Sequence, residues 1–186
     1  MTEGPGYQLH RTVVLVGMMG SGKSAIGRCL SDRLQVPFVD SDAAIELAAA
    51  ASIAEIFARD GEAFFRQRES EVLRRLLSGP PGIVSTGGGA FMTQQNQDAI
   101  AQLGVALWLD ADVETLWDRV RHKDTRPLLR TADPKATLRK IFDDRQPTYA
   151  LAGLRLPVAR TATIEDTTQS ALELLCSRPD ILEKTP

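Results

Sequence analysis

Gly17, Gly22, Lys23 and Ser24 stand at the spacing Gly-x4-Gly-Lys-Ser, a pattern whose chemistry is phosphate binding. Glycines let successive backbone N–H groups curl around phosphate oxygens, a lysine ammonium bridges the β and γ phosphates, and a serine hydroxyl ligates a divalent cation. Gly20, Ser21, Gly22, Lys23, Ser24 and Ala25 are therefore the nucleotide-binding candidates. The pattern also describes a glycine-rich turn with a solvated Lys. Its placement argues otherwise: β formers at 12–16 precede it, and Ile26, Leu30 and Leu34 follow on one helical face. Strand, loop, helix aims the positive end of the helix dipole at the same anion.

Two carboxylates, Asp40 and Asp42, close the next apolar run. In extended backbone a spacing of two points both side chains the same way, here toward the phosphate loop. Two carboxylates facing an anionic site repel it unless a cation or a hydroxyl lies between. One suits a cation-bound water, the other a substrate hydroxyl whose proton it accepts. Either could instead cap the helix expected from residue 43, Asp42 in particular. Phosphate-loop hydrolases commonly add a metal-holding Asp at the end of another apolar strand. The strand expected at 83–86 ends in Thr86, which favours Asp40 as the metal's outer ligand beside Ser24. Asp110 is the alternative, or else a turn or cap residue before the helix at 113.

These groups need a frame. Strands are expected at 12–16, 36–39, 82–86 and 105–109, and a weaker one near 154–158, where Pro157 counts against a central position. Helices are expected at 43–50, 52–60, 62–77, 94–103, 113–121, 134–149 and 167–177. The alternation predicts an α/β protein with a three-layer P-loop fold: a five-stranded, mainly parallel sheet with helices on both faces. Ligands of such sheets lie beyond the carboxyl ends of the strands, so 17–24, 40–42, 87–89 and Asp110 should share one rim.

The 186 residues carry 22 Lys and Arg against 24 Asp and Glu and are 43% hydrophobic, as expected for one domain without a nucleic-acid footprint. No apolar run approaches the roughly 20 residues of a membrane helix, and the polar start lacks the regions of a signal peptide. No membrane partner, a cytoplasmic address and a monomer are the expectations. Two Cys and two His exclude a disulfide framework and a zinc cluster. Residues before 11 and after 177 read as surface or loosely ordered segments. Of the 22 basic residues 17 are Arg, which fits either forks for carboxylate and phosphate or a GC-rich genome.

Asp40-Ser41-Asp42, Phe65-Arg66-Gln67-Arg68-Glu69, Thr86-Gly87-Gly88-Gly89, Arg126-Pro127-Leu128-Leu129, and Arg145 with Tyr149 occur in the order seen in shikimate kinases. The sequence resembles that family from about residue 12 to residue 158. Its members are small kinases of the nucleoside-monophosphate kinase type, which transfer the γ-phosphate of ATP, with Mg2+, to the 3-hydroxyl of shikimate in aromatic amino-acid biosynthesis. The resemblance implies a single kinase domain over 1–186, with core at 11–42, 82–118 and 134–178, a substrate-binding helical segment at 43–78 and a mobile lid at 119–133. It implies Asp42 as the base that accepts the hydroxyl proton, and Arg66 and Arg145 as the carboxylate-binding pair. Glu69, on the same helix face as Arg66, can orient that guanidinium. Gly87, Gly88 and Gly89 would face the ring, with the Gly88 N–H as a donor, and Phe57 and Phe65 would be apolar walls. Arg126 would close over the phosphates and join Lys23 in stabilising transferred charge, and Arg119 would lie near the adenine. The adenine-contacting loop aligns at 155–161 in more than one register, so no residue is assigned there.

Without the resemblance, Arg66 reads as a surface residue, the three glycines as a permissive turn, Phe57 as core packing, and the charge-dense 119–131 as a solvated face. Two competing functions remain. A gluconate-type kinase would share the phosphate loop, but 86–89 and 126–129 argue against it. A nucleotide-binding homologue without catalysis should have lost a site residue, whereas Lys23, Ser24, Asp42, Arg66, Arg126 and Arg145 are all present.

Overall fold

The structure, a computed structural model, describes residues 6–123 and 127–185. In chain order the elements are β1 (Tyr7–Leu9), β2 (Thr12–Val16), α1 (Lys23–Leu34), β3 (Phe38–Asp40), α2 (Ser41–Ala49), α3 (Ile53–Leu77), β4 (Ile83–Ser85), α4 (Gln94–Leu103), β5 (Gly104–Asp110), α5 (Val113–Val120), α6 (Pro134–Tyr149), β6 (Leu154–Pro157), α7 (Ile164–Cys176) and β7 (Leu182–Lys184). Five strands form one sheet in the order β3-β4-β2-β5-β6, and every neighbouring pair in it is parallel. Every residue of β2 is buried, which explains its unbroken apolar run: a parallel strand covered on both faces has no polar side to show. Pro157 ends the edge strand β6, where its missing N–H breaks no ladder.

Helices flank the sheet, with α1 against α7 and α4 against α3 and β5. The main core gathers β2, β4, β5 and the inner faces of these helices, while Ile45, Ile56, Phe65 and Val72 form a second, smaller cluster between α2 and α3. The segment carrying half the candidate site thus has an apolar core of its own.

Three expectations need correction. The helix expected from residue 43 starts at Ser41, because Asp40 is its cap: Asp40 Oδ1 accepts from the N–H groups of Asp42 at 3.0 Å and Ala43 at 3.3 Å. Asp42 consequently lies in the first helical turn and not in extended backbone. The break expected between the helices at 52–60 and 62–77 is present: α3 is interrupted at Gly61, whose φ of +83° and ψ of 173° are not helical and suit glycine. The last helix begins at Ile164, not 167, behind a reciprocal Thr163–Asp166 cap. Among the described residues, 7–9 and 182–184 are not loosely ordered: β1 and β7 pair antiparallel, with Leu9 opposite Leu182. No described helix is long and apolar enough to cross a membrane.

Ile181 and Leu182 are 0% and 1% exposed, so the tail contributes to the core. Leu182→Ala is expected to lower the unfolding free energy by on the order of 3 kcal/mol in urea titration while leaving turnover per folded molecule unchanged. A change below about 1 kcal/mol would return the tail to the surface.

Candidate active site

β2 runs directly into the phosphate loop. Gly17, Gly20 and Gly22 have φ of +141°, +82° and +98°, and a Cβ at Gly17 would stand 2.8 Å from the Leu109 carbonyl oxygen. Conformation and space both demand glycine there. Gly22 starts α1 without a side-chain cap, leaving the first helical N–H groups to an anion. Lys23 Nζ donates to the carbonyls of Gly17 at 2.8 Å and Met18 at 2.9 Å, which keeps the ammonium at the loop mouth. Arg119, in the last turn of α5, donates Nη1 to Gly20 O at 3.2 Å and Ser21 O at 3.4 Å. Ser21 is fully buried, and Ala25 is on the cleft wall.

Ser24 Oγ donates to Asp40 Oδ2 at 3.2 Å and lies 3.3 Å from Ser85 Oγ at the end of β4. Asp40 therefore divides its oxygens, Oδ1 capping α2 and Oδ2 facing Ser24. One hydroxyl and one carboxylate oxygen beside the phosphate loop fit a hard cation that takes its other ligands from phosphates and water. Among the described residues there is no cluster of three or more His, Cys, Asp or Glu that could hold a metal ion.

The other half of the site is organised by glycines without side chains. A Cβ at Gly87 would fall 2.9 Å from Asp42 Oδ1, one at Gly88 2.9 Å from Arg145 Nη1, and one at Gly89 2.6 Å from Arg66 Nη2. Three helices, α2, α6 and α3, each press one charged group onto one glycine of β4's exit loop. Arg66 Nη1 donates to Glu69 Oε2 at 2.8 Å, and Glu62 lies 3.6 Å from its Nε. Glu69 is 2% exposed; burial pushes its carboxyl above the ordinary value, opposed by the Arg66 hydrogen bond and charge. Asp42 is pushed up by burial and then by the neighbouring Asp40 carboxylate, against the pull of Lys23 and Arg66, with Glu46 adding a smaller push.

A cleft of about 810 Å3 joins the halves, lined by Gly20, Gly22, Lys23, Ser24, Asp40, Asp42, Gly87, Gly88 and Arg119. Arg66, Arg145 and Gly89 are not among the residues that line it; the two guanidinium groups lie against Gly89 and Gly88 beside it. Phe65 is buried and Phe57 is 37% exposed, with ring centroids 4.8 Å apart, so they form one aromatic pair at the edge of the smaller core. Arg126 lies outside the described residues. Arg160, Ala162, Thr163 and Ile164 also line the cleft and went unassigned in the sequence. The signal was present: Thr163 with Asp166 three residues on marks a helix start at this rim. Asp110 neither caps nor faces the cleft; Arg155 Nε and Nη2 donate to its Oδ2 at 2.8 and 2.6 Å, and Asp112 caps α5 instead.

A parallel sheet of order β3-β4-β2-β5-β6 whose central strand opens into a glycine loop and helix, with a carboxylate on the neighbouring rim, defines a P-loop small-molecule kinase. Within that class the comparisons agree. Residues 19–176 match the family model for shikimate kinase, and the chain belongs to that family. It is 56% identical over 181 residues to a shikimate kinase of Ruegeria pomeroyi, covering 97% of this chain and 93% of the relative. A shikimate kinase from Acinetobacter baumannii, solved in complex with shikimate, superposes with a TM-score of 0.83 at 35% identity over 90% of this chain and 93% of that one. A gluconokinase from Sinorhizobium meliloti, at TM-score 0.60 and 15% identity over 91% and 94%, shares the fold alone.

The raised Asp42 value has a consequence for stability. The folded chain binds that proton more tightly than the unfolded chain, so stability falls as pH rises from the ordinary carboxylate value through the raised one. At neutral pH the ionised group opposes folding, and a neutral Asn reproduces the protonated form. Asp42→Asn is expected to melt above the parent at pH 7, with the gap closing as pH falls below the ordinary range. An equal or lower midpoint at pH 7 would show that the ionised form is not penalised.

Proposed function

We propose that this chain transfers the γ-phosphate of ATP to the 3-hydroxyl of shikimate, giving shikimate 3-phosphate and ADP, with Mg2+ accompanying the nucleotide. The observation that carries this reading is the convergence on three consecutive glycines, beside the phosphate loop, of a half-buried carboxylate and two guanidinium groups. Shikimate is a small ring with a carboxylate at one end and hydroxyls at the other. Arg66 and Arg145 suit the carboxylate, since a planar fork on a carboxylate is the strongest use of Arg. Glu69 holds Arg66 in place, and Gly87 to Gly89 let the ring approach backbone, with the Gly88 N–H as a donor. Phe57 and Phe65 supply the apolar wall.

Asp42 accepts the proton of the attacking hydroxyl. Its raised value brings it closer to working pH, where a general base is most effective. Lys23 and Arg126 neutralise charge on the transferring phosphoryl group, and Arg119 with the start of α7 borders the nucleotide. Ser24, with Asp40 through water, would hold the Mg2+, which neutralises phosphate charge when bound. Residues 43–78 act as the substrate-binding segment, and 119–133 as a lid that excludes water on closing. On this reading the chain is a cytoplasmic monomer acting on small molecules, with neither nucleic acid nor membrane as partner.

ADP release measured with shikimate and with gluconate tests the reading: turnover is expected with shikimate alone, and release with gluconate alone would transfer the chain to the other sugar-acid kinases. Asp42→Asn should keep nucleotide binding and lose roughly 100-fold or more in kcat, and the acid limb of the parent's kcat profile should fall above the ordinary carboxylate range. Near-normal turnover would remove Asp42 from the role of base. Arg145→Ala should raise the KM for shikimate roughly 10–100-fold and that for ATP far less; equal weakening of both would contradict its placement.

A further inference from the structure

We propose that the Tyr149 hydroxyl is a positioning group, which aims the Gly88 peptide and sets Arg145 against it for a substrate carboxylate. The proposal rests on the reading above that Gly88 and Arg145 receive that carboxylate. Tyr149 is the last residue of α6, 1% exposed, and its ring is stacked on Trp108 with centroids 6.2 Å apart. Its hydroxyl donates to the Gly88 carbonyl oxygen at 2.5 Å.

The glycine loop has one carbonyl to satisfy per residue. Gly87 O accepts from Ala90 N at 3.2 Å and Gly89 O from Met92 N at 3.1 Å, both within the short turn that follows. Gly88 O is the one whose donor comes from another element. Three successive residues without Cβ have more backbone freedom than any other tripeptide, so local bonds at either end leave the middle peptide able to turn. The buried phenol stops that rotation from outside. Burial also raises the Tyr149 value above that of an ordinary phenol, so the group stays a donor throughout the working pH range.

The same residue fixes Arg145. The two lie four apart on α6, one turn along the same face, and Arg145 Nη1 is 2.9 Å from the point a Gly88 Cβ would occupy. With the ring locked on Trp108 and the hydroxyl on Gly88, the end of α6 has a set distance from the loop. Tyr149 therefore governs how the fork meets the backbone donor without touching substrate itself. Its effect should fall on the substrate side of the site, because Lys23, Ser24 and the phosphate loop depend on β2 and α1 instead.

The test is steady-state ADP release by the full chain and its Tyr149→Phe and Trp108→Phe variants, with each substrate varied in turn and thermal midpoints recorded. Removing the hydroxyl leaves the part-buried Gly88 carbonyl without its donor. Tyr149→Phe is expected to raise the shikimate KM about tenfold, with the ATP KM and kcat within about twofold. Trp108→Phe, which loosens the ring that Tyr149 stacks on, should lower the midpoint and raise the shikimate KM by less than Tyr149→Phe does. A shikimate KM in Tyr149→Phe within twofold of the parent, or an equal rise in both KM values, would assign the hydroxyl to stability alone. A parent chain that released no ADP with shikimate would overturn the functional reading and this assignment together, whereas an active parent with an unaltered Tyr149→Phe overturns this assignment only.

Discussion

The site depends on three side chains that do not exist. Gly87, Gly88 and Gly89 let Asp42 Oδ1, Arg145 Nη1 and Arg66 Nη2 come within 2.6 to 2.9 Å of where β-carbons would stand. Any residue with a Cβ would push a charged group out of the place its helix gives it. Because the glycines follow β4, and β4 lies beside β2 in the sheet, the same constraint brings α2, α3 and α6 to the mouth of the phosphate loop. Two binding halves, one for phosphate and one for a small anion, thereby share a rim.

Crowding charge in this way has a cost, and its location is visible. Asp42 and Glu69 are both pushed above their ordinary values by burial, and in each case Arg66 pulls the other way. The pull of Arg66 thus only partly offsets the burial of the two carboxylates. The opposing stability comes from the fully buried β2 and the core around it. Asp40 ties the two halves at atomic scale: one oxygen caps the helix that carries Asp42, the other meets Ser24 at the nucleotide end. Tyr149 does similar work from the far side, joining α6 to the glycine loop.

Much of the chemistry was legible in one dimension. The phosphate loop could be read because phosphate binding constrains a few consecutive residues, and local spacing is what a sequence records. Arg66 with Glu69 was readable for the same reason, being one helical turn. Asp42 was placed in the right cleft by a wrong local argument, since extended backbone was assumed where a capped helix begins. Apart from the helix starts at 41 and 164, the misses were contacts between distant segments. The pairing of β1 with β7 joins residues 7–9 to 182–184, and nothing in either run names the other. Arg160, Ala162, Thr163 and Ile164 border the cleft because β6 delivers α7 to the same rim, a fact of strand order and not of motif. Asp110 looked like a metal or cap residue until Arg155, 45 positions away, occupied it.

The amino-acid sequence by itself therefore determined the class of chemistry, the alternation of strands and helices, and which residues could bind phosphate or carboxylate, because these follow from residue type and short-range spacing. The tertiary structure alone decided which glycine backs which charge, that Asp40 serves cap and Ser24 together, and that Tyr149 reaches Gly88 across 61 residues. Such approaches depend on how helices pack on a sheet, and packing distances are a property of the folded whole that no local pattern encodes.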